Sequence, residues 1–146
     1  MNDARAYVFV VLLHVTADIL FAASLLTTAL VAAALAREPA QALAAHRRLV
    51  VGVRRWNRLV AGPSLVLLWV LGLWLAHRAG WFGAAWLHVK LALVLFVSAL
   101  HGWISGVLRR LARTPPVAPP RLVWIAIPLS LAGFAAIVWL ALVKPF

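Results

Sequence analysis

Apolar residues run along this chain in four long blocks, separated by short polar stretches rich in arginine. The blocks cover about residues 6–36, 59–76, 84–108 and 122–143. A helix rises ~1.5 Å per residue, so about 20 apolar residues cross the hydrocarbon core of a bilayer. In lipid the backbone polar groups must be satisfied within the spanning structure, which leaves helices or a closed barrel. The period-two alternation of a barrel strand is absent. The pattern therefore predicts an all-α, integral membrane four-helix bundle, a single transmembrane domain over residues 1–146. Ala34-Leu35-Ala36 resembles the cleavage site of a secretory leader. The apolar stretch before it is far longer than the ~7–15 residues of a leader, and the first block reads as a retained helix.

Composition agrees with this pattern and removes alternatives. The chain is 66% hydrophobic and only 12% charged, with a mean hydropathy of +1.01. A soluble domain of this size needs a far more polar surface. The absence of cysteine excludes disulfides and thiolate metal sites. A formal net charge of +11 raises the question of nucleic acid. The basic residues, however, lie between apolar blocks rather than on one soluble face, so no nucleic-acid partner is expected.

The charge distribution predicts an orientation instead. Arg37, Arg47, Arg48, Arg54, Arg55 and Arg58 lie between blocks one and two, and Arg109, Arg110, Arg113 and Arg121 between blocks three and four. The opposite side carries Arg5, Arg78 and Lys144. By the positive-inside rule this split places both termini outside the cytoplasm of a bacterial-type plasma membrane. Trp81 and Trp86 then fall at the outer interface, where indole rings favour the headgroup zone.

Within the first arginine-rich stretch, Arg47, Arg48, Arg54, Arg55 and Arg58 share about a third of a helix circumference, with Leu49, Val53 and Trp56 on the far side. This predicts a short amphipathic helix in the first cytoplasmic loop, drawn to anionic lipid. The run from Thr114 to Pro120 contains four prolines and reads as a stiff linker.

Ionisable side chains inside the blocks are few. A charge at membrane depth costs at least ~2.5 kcal/mol on insertion scales, so such a residue normally faces a partner or a cavity. His14 and Asp18 are four residues apart and share a helix face, which lets the carboxylate fix the imidazole tautomer. Lys90 and His101 are eleven apart, about 20° in angle and ~16 Å along the axis. Helix rise places His14 ~12 Å, Lys90 ~9 Å and His101 ~25 Å from the outer edge, too spread for one ligand to meet both histidines without tilt. Ser98, Gly102 and Gly106 form a small-residue ladder beside this stripe, a surface that admits a helix or a flat macrocycle. His88 points away from the stripe, and His46 and His77 flank the blocks. Histidines in a helical bundle without cysteine, and with only Met1 as thioether, favour imidazole ligation of haem iron over copper(I) handling.

Several stretches carry a family pattern in order along most of the chain. They are Leu13-His14, Arg58-Leu59-Val60-Ala61-Gly62-Pro63 leading to Leu71-Gly72-Leu73-Trp74-Leu75, Trp86-Leu87-His88-Val89-Lys90-Leu91 before Leu100-His101-Gly102, and the closing Val143-Lys144-Pro145-Phe146. Together they resemble the HemJ family of membrane protoporphyrinogen oxidases, which is related to CopD-type membrane proteins. The resemblance implies a bundle that binds b-type haem and oxidises protoporphyrinogen IX to protoporphyrin IX in haem biosynthesis. His14, Lys90 and His101 match polar positions of the family. The implied roles are iron ligation for His14 and His101, and cofactor or substrate carboxylate binding for Lys90. The chain departs from the family at Ala29–Leu35, where members carry Pro-Arg and then Tyr-His, and at Ala126-Ile127, where they carry Asn-Glu. Asp18 stands as the substitute acid.

The expected activity is thus a haem-b oxidoreductase with Lys90 and Asp18 as catalytic groups, a porphyrinogen substrate and membrane lipids around it. Electrons would leave to a quinone or a redox partner protein, and a homo-oligomer stays open. The alternatives are a non-catalytic haem-b electron-transfer subunit, a CopD-like metal-handling protein and a purely structural membrane protein.

Overall fold

The computed structural model describes residues 3–39 and 41–143, and all regular structure among them is helical. Helix α1, Asp3–Leu35, is unbroken. Its buried positions include Ala17, Phe21, Leu25, Thr28, Ala32 and Leu35, a three-to-four spacing that makes one apolar stripe. Ser24 and Thr28 lie in the same stripe fully buried, and their hydroxyls donate to the carbonyls of Leu20 and Ser24 at 2.7 Å each. Satisfying the hydroxyls within the helix lets polar side chains sit at membrane depth.

After a 3-10 turn at Leu43–His46, helix α2 spans Arg47–Trp56 and passes through a π turn, Asn57–Ala61, into helix α3, Gly62–Arg78. Pro63 lies just inside α3 and has no N–H to offer the carbonyl of Leu59, which accounts for the wider turn at this point. The short amphipathic helix expected near Arg47 is therefore the lower part of one helical run. Its arginines are exposed, Val50 is buried and Val53 packs on the core, while Leu49 and Trp56 remain exposed. The Trp56 indole reaches α1 and donates to Ser24 Oγ at 3.0 Å.

Helix α3 ends on Gly80, whose φ of 68° is the left-handed conformation glycine adopts without penalty. A 3-10 turn at Trp81–Gly83 leads into helix α4, Ala85–Leu111. The proline-rich linker, with buried Pro119, and a 3-10 turn at Arg121–Ile125 bring the chain into helix α5, Ala126–Val143. Helices α4 and α5 meet at Gly133, where an added Cβ would lie 2.8 Å from Val97 Cγ1.

Four helical stretches, Ala4–Leu35, Leu43–Arg78, Ala85–Leu111 and Arg121–Val143, are long and apolar enough to cross a membrane. Large apolar side chains such as Leu12, Ile19, Val66, Leu95 and Leu142 are exposed on their outer faces, as expected of an integral membrane protein whose outer solvent is lipid. The packing is uneven along the bundle. A large core around Phe21, Leu25, Val97, Ile104 and Leu108 fills the arginine-rich half. A small cluster of Ala76, Trp86, Leu87 and Leu140 closes the opposite end. Between them the helices part.

Candidate functional site

The space between the two cores is a cavity of about 360 Å³, within the range of small-molecule sites. Its walls are mostly apolar and aromatic, with Trp69, Trp81 and Trp86 among them. Three ionisable side chains enter it: His14 and Asp18 from α1, and Lys90 from the second turn of α4. The four-residue spacing on α1 puts His14 and Asp18 on the same face, and the meeting of α1 with α4 brings Lys90 to them. A few convergent polar groups in an apolar cavity are the ordinary make-up of a binding site.

His14 is held in a specific way. Its imidazole lies against the backbone of α3 at Gly72, where an added Cβ would sit 2.9 Å from Cε1. Nδ1 is buried with no hydrogen-bond partner, the one such side-chain nitrogen or oxygen among the described residues. An imidazole nitrogen removed from water without a partner is costly, so the packing of α1 against α3 holds the ring at an energetic cost. Trp81 and Trp86 meet edge to face, with centroids 5.3 Å apart, at the mouth formed by the α3–α4 connection.

His101 lies elsewhere. It does not line the cavity, and its Nε2 is 2.9 Å from Asn57 Oδ1. The Asn57 amide donates to Ser105 Oγ at 2.7 Å. With the amide so engaged, its oxygen accepts from the imidazole, which carries its proton on Nε2. The ring of Phe21 stands edge-on to His101, with centroids 5.3 Å apart, and also against Phe134 at 5.9 Å. His14, Asp18 and Lys90 are thus gathered at one cavity, and His101 belongs to a second polar cluster at the π turn.

Two residues of these clusters carried no signal in the chain pattern, Asn57 and Trp69, whose Nε1 donates to Ser98 Oγ at 3.2 Å. Gly72 stood in the family stretch, with nothing in the sequence to show its contact with His14. Along the small-residue ladder no neighbouring helix approaches Gly102 within 4 Å of an added Cβ. The close helix contact is at Gly133 instead. His88 and His77 are exposed.

Among the described residues no group of three or more His, Cys, Asp or Glu is placed to hold a bare metal ion. Haem brings four ring nitrogens of its own and asks the protein for only one or two axial ligands, and the cavity contains one imidazole, that of His14. Compared with protein-family models, curated proteins and solved structures, the chain matches none.

Proposed function

We propose that this protein is a haem-b-binding membrane oxidoreductase that oxidises a porphyrinogen, with the cavity between α1, α3, α4 and α5 as its site. The observation that carries the reading is the gathering of His14, Asp18 and Lys90 at one apolar, tryptophan-lined cavity. The resemblance of the stretches around His14, Lys90 and His101 to the HemJ family supports the same chemistry.

His14 is the residue that would hold the iron, with its ring orientation set by the α3 backbone at Gly72. When bound, haem supplies the one-electron redox couple that no side chain here provides. Lys90 offers an ammonium to a substrate carboxylate and so orients the tetrapyrrole. Asp18, one helical turn from His14, holds or accepts a proton at its carboxylate. The tryptophan walls exclude water and give the ring a flat apolar surface. His101 keeps its implied cofactor role only through the nitrogen not turned to Asn57, so a single-histidine site is the reading the geometry favours. The arginine-rich end faces the cytoplasm and the cavity opens toward the outer leaflet of a bacterial-type membrane. Electrons pass on to a quinone or a protein partner.

A second reading, a haem-b electron-transfer subunit without porphyrinogen turnover, is favoured by the residues at the two family departures. Ala29, Ala32 and Ala126 are fully buried apolar positions, where the family carries arginine, tyrosine and acidic side chains nearby. The purified protein's absorption spectrum tests the shared part of both readings. Reduced-state bands of non-covalent b-type haem are expected, and His14→Ala is expected to remove or shift them. A protein that purifies without haem, or a spectrum unchanged in His14→Ala, overturns the assignment. Porphyrinogen turnover by the purified protein then separates the first reading from the second.

A further inference from the structure

The cavity that holds His14, Asp18 and Lys90 is not closed on every side. Of its lining residues the most exposed are Leu142, at 79%, and Val138 and Val15, at 48% each. The first two belong to α5 and the third to α1. Each is wall and outer surface at once, so the cavity reaches the outside where α1 meets α5.

The helix faces show how this seam parts. Phe134, Val138 and Leu142 are spaced by four and stand one above another on α5. Phe134 packs edge-on against Phe21 of α1, with centroids 5.9 Å apart, and seals the seam next to the large core. Further toward the Trp81–Trp86 end the aromatic pair gives way to Val138 and Leu142 on one helix and Val15 on the other. The small Ala141 lines the cavity between them. The other ways in are narrower. Across α3 and α4 the Trp69 indole is hydrogen-bonded to Ser98, and Leu73, at 38%, is the one exposed residue that these two helices give to the lining. The end at the α3–α4 connection is filled by Ala76, Trp86, Leu87 and Leu140, all buried.

What lies outside the seam is apolar. Val15 and Val138 both fall inside membrane-length stretches. Around them Leu12 and Ile19 of α1 and Leu131 and Trp139 of α5 are exposed. A surface of this kind is covered by acyl chains and not by water. We propose that the α1–α5 seam is a lateral portal, through which the cavity takes a lipid-soluble ligand directly from the hydrocarbon of the bilayer. Asp18 lies about 60° round α1 from Val15, against about 100° for His14, so its carboxylate is the first ionisable group inside the opening. The portal rests on the reading of the cavity as a binding site, and it holds whichever group His14 carries.

The test places the full chain in phospholipid vesicles with an uncharged aryl diazirine dissolved in the bilayer, a photoreactive probe that marks what it touches. Peptide mass spectrometry locates the marks. The walls at Leu75, Leu87 and Ile137 are buried, so the probe reaches them only from within the cavity. Marks are read on the parent and on His14→Ala, which empties the cavity if haem is held on His14 and changes nothing if no haem binds. The result is thereby separate from the haem reading. Marked walls are expected in His14→Ala. Adding Val138→Trp, or Val15→Trp from the other side of the seam, is expected to abolish those marks and to leave the marks on Leu12 and Leu131. Leu73→Trp should leave the walls marked. All three positions are exposed, so the fold accepts the larger ring. Unmarked walls in His14→Ala overturn the proposal, as does equal marking of them by a charged, water-borne diazirine. A block by Leu73→Trp in place of Val138→Trp would move the entrance to the α3–α4 side and overturn it equally. Val15 and Val138 left unmarked in the parent would mean that a second copy covers the seam, which also sinks the portal.

Discussion

Gly72 of α3 and His14 of α1 are packed so closely that a Cβ on the glycine would lie 2.9 Å from the imidazole Cε1. The missing side chain is what lets the ring lie on the backbone of its neighbour and present itself to the cavity. Gly72→Ala forces the ring to move, because contacts under 3.0 Å are not sustained. The ring is the end of a rotatable side chain, so the fold survives and the orientation does not. The expected outcome is a folded protein with reduced haem content or shifted bands, and Gly72→Leu is expected to bind none. A Gly72→Leu protein with the unmodified protein's spectrum would remove the packing argument.

The hydrogen bond between His101 and Asn57 leads to a prediction about stability. Asn57→Leu strands both the imidazole N–H and Ser105 in a half-buried place, at a cost of about 1–3 kcal/mol. Asn57→Leu combined with His101→Leu removes both partners and is expected to recover part of that loss. Denaturant titration of the four proteins in detergent measures the coupling. Strict additivity of the two changes would mean that the pair is not a stabilising unit.

Much of this fold follows from where the apolar residues fall. The four blocks became four membrane-length helices because length and hydropathy act locally, residue by residue. The split between His14 and His101 was also legible, since helix rise alone sets them at different depths. What the pattern did not reveal depends on contacts between helices. Asn57 is buried because the π turn before Pro63 rolls it toward α4, and no local rule announces that. Gly72 matters because α1 crosses α3 there. In each case the partner lies more than one helix turn away in sequence, beyond the reach of periodicity.

Gly133 offers a test of the helix packing that is separate from any ligand. An added Cβ would stand 2.8 Å from Val97 Cγ1, and valine's branched side chain has little rotamer freedom to yield. Gly133→Ala is expected to destabilise the protein by about 1–3 kcal/mol through overpacking. Val97→Ala makes room, so the double variant should be more stable than Gly133→Ala alone. Unfolding curves that place Gly133→Ala level with the parent protein would show that α4 and α5 shift apart freely.

Orientation rests on charge. The arginines at the start of α2 and the end of α4 are exposed at one end of the bundle, while Arg78 stands at the other. By the positive-inside rule the arginine-rich end is expected in the cytoplasm. A periplasm-active reporter fused after Phe146 is expected to work, and one inserted beside Gln41 is expected to fail. The reverse pattern would invert the cavity's exposure and, with it, the side from which a substrate enters.

Lys90 carries the prediction on which the enzymatic reading depends most. It shares the cavity with His14 and Asp18 and lies in the second turn of α4, near the tryptophan-lined mouth. An ammonium at that depth reaches a carboxylate held at the membrane surface without exposing charge to the hydrocarbon core. Under the proposed activity the substrate carries carboxylates at its ring edge, and the contact would fix the ring's rotation relative to His14. Misplacement by ~1 Å costs about 100-fold in rate. Lys90→Met keeps the apolar stem and removes the charge, so insertion and haem content should be unchanged. Porphyrinogen turnover should fall by about 100-fold on that basis. Turnover equal to the parent's would reduce Lys90 to an anchoring residue at the interface. A parent protein that binds haem but turns over no porphyrinogen would instead favour electron transfer, and would tie the missing activity to the apolar residues at Ala29–Leu35 and Ala126-Ile127.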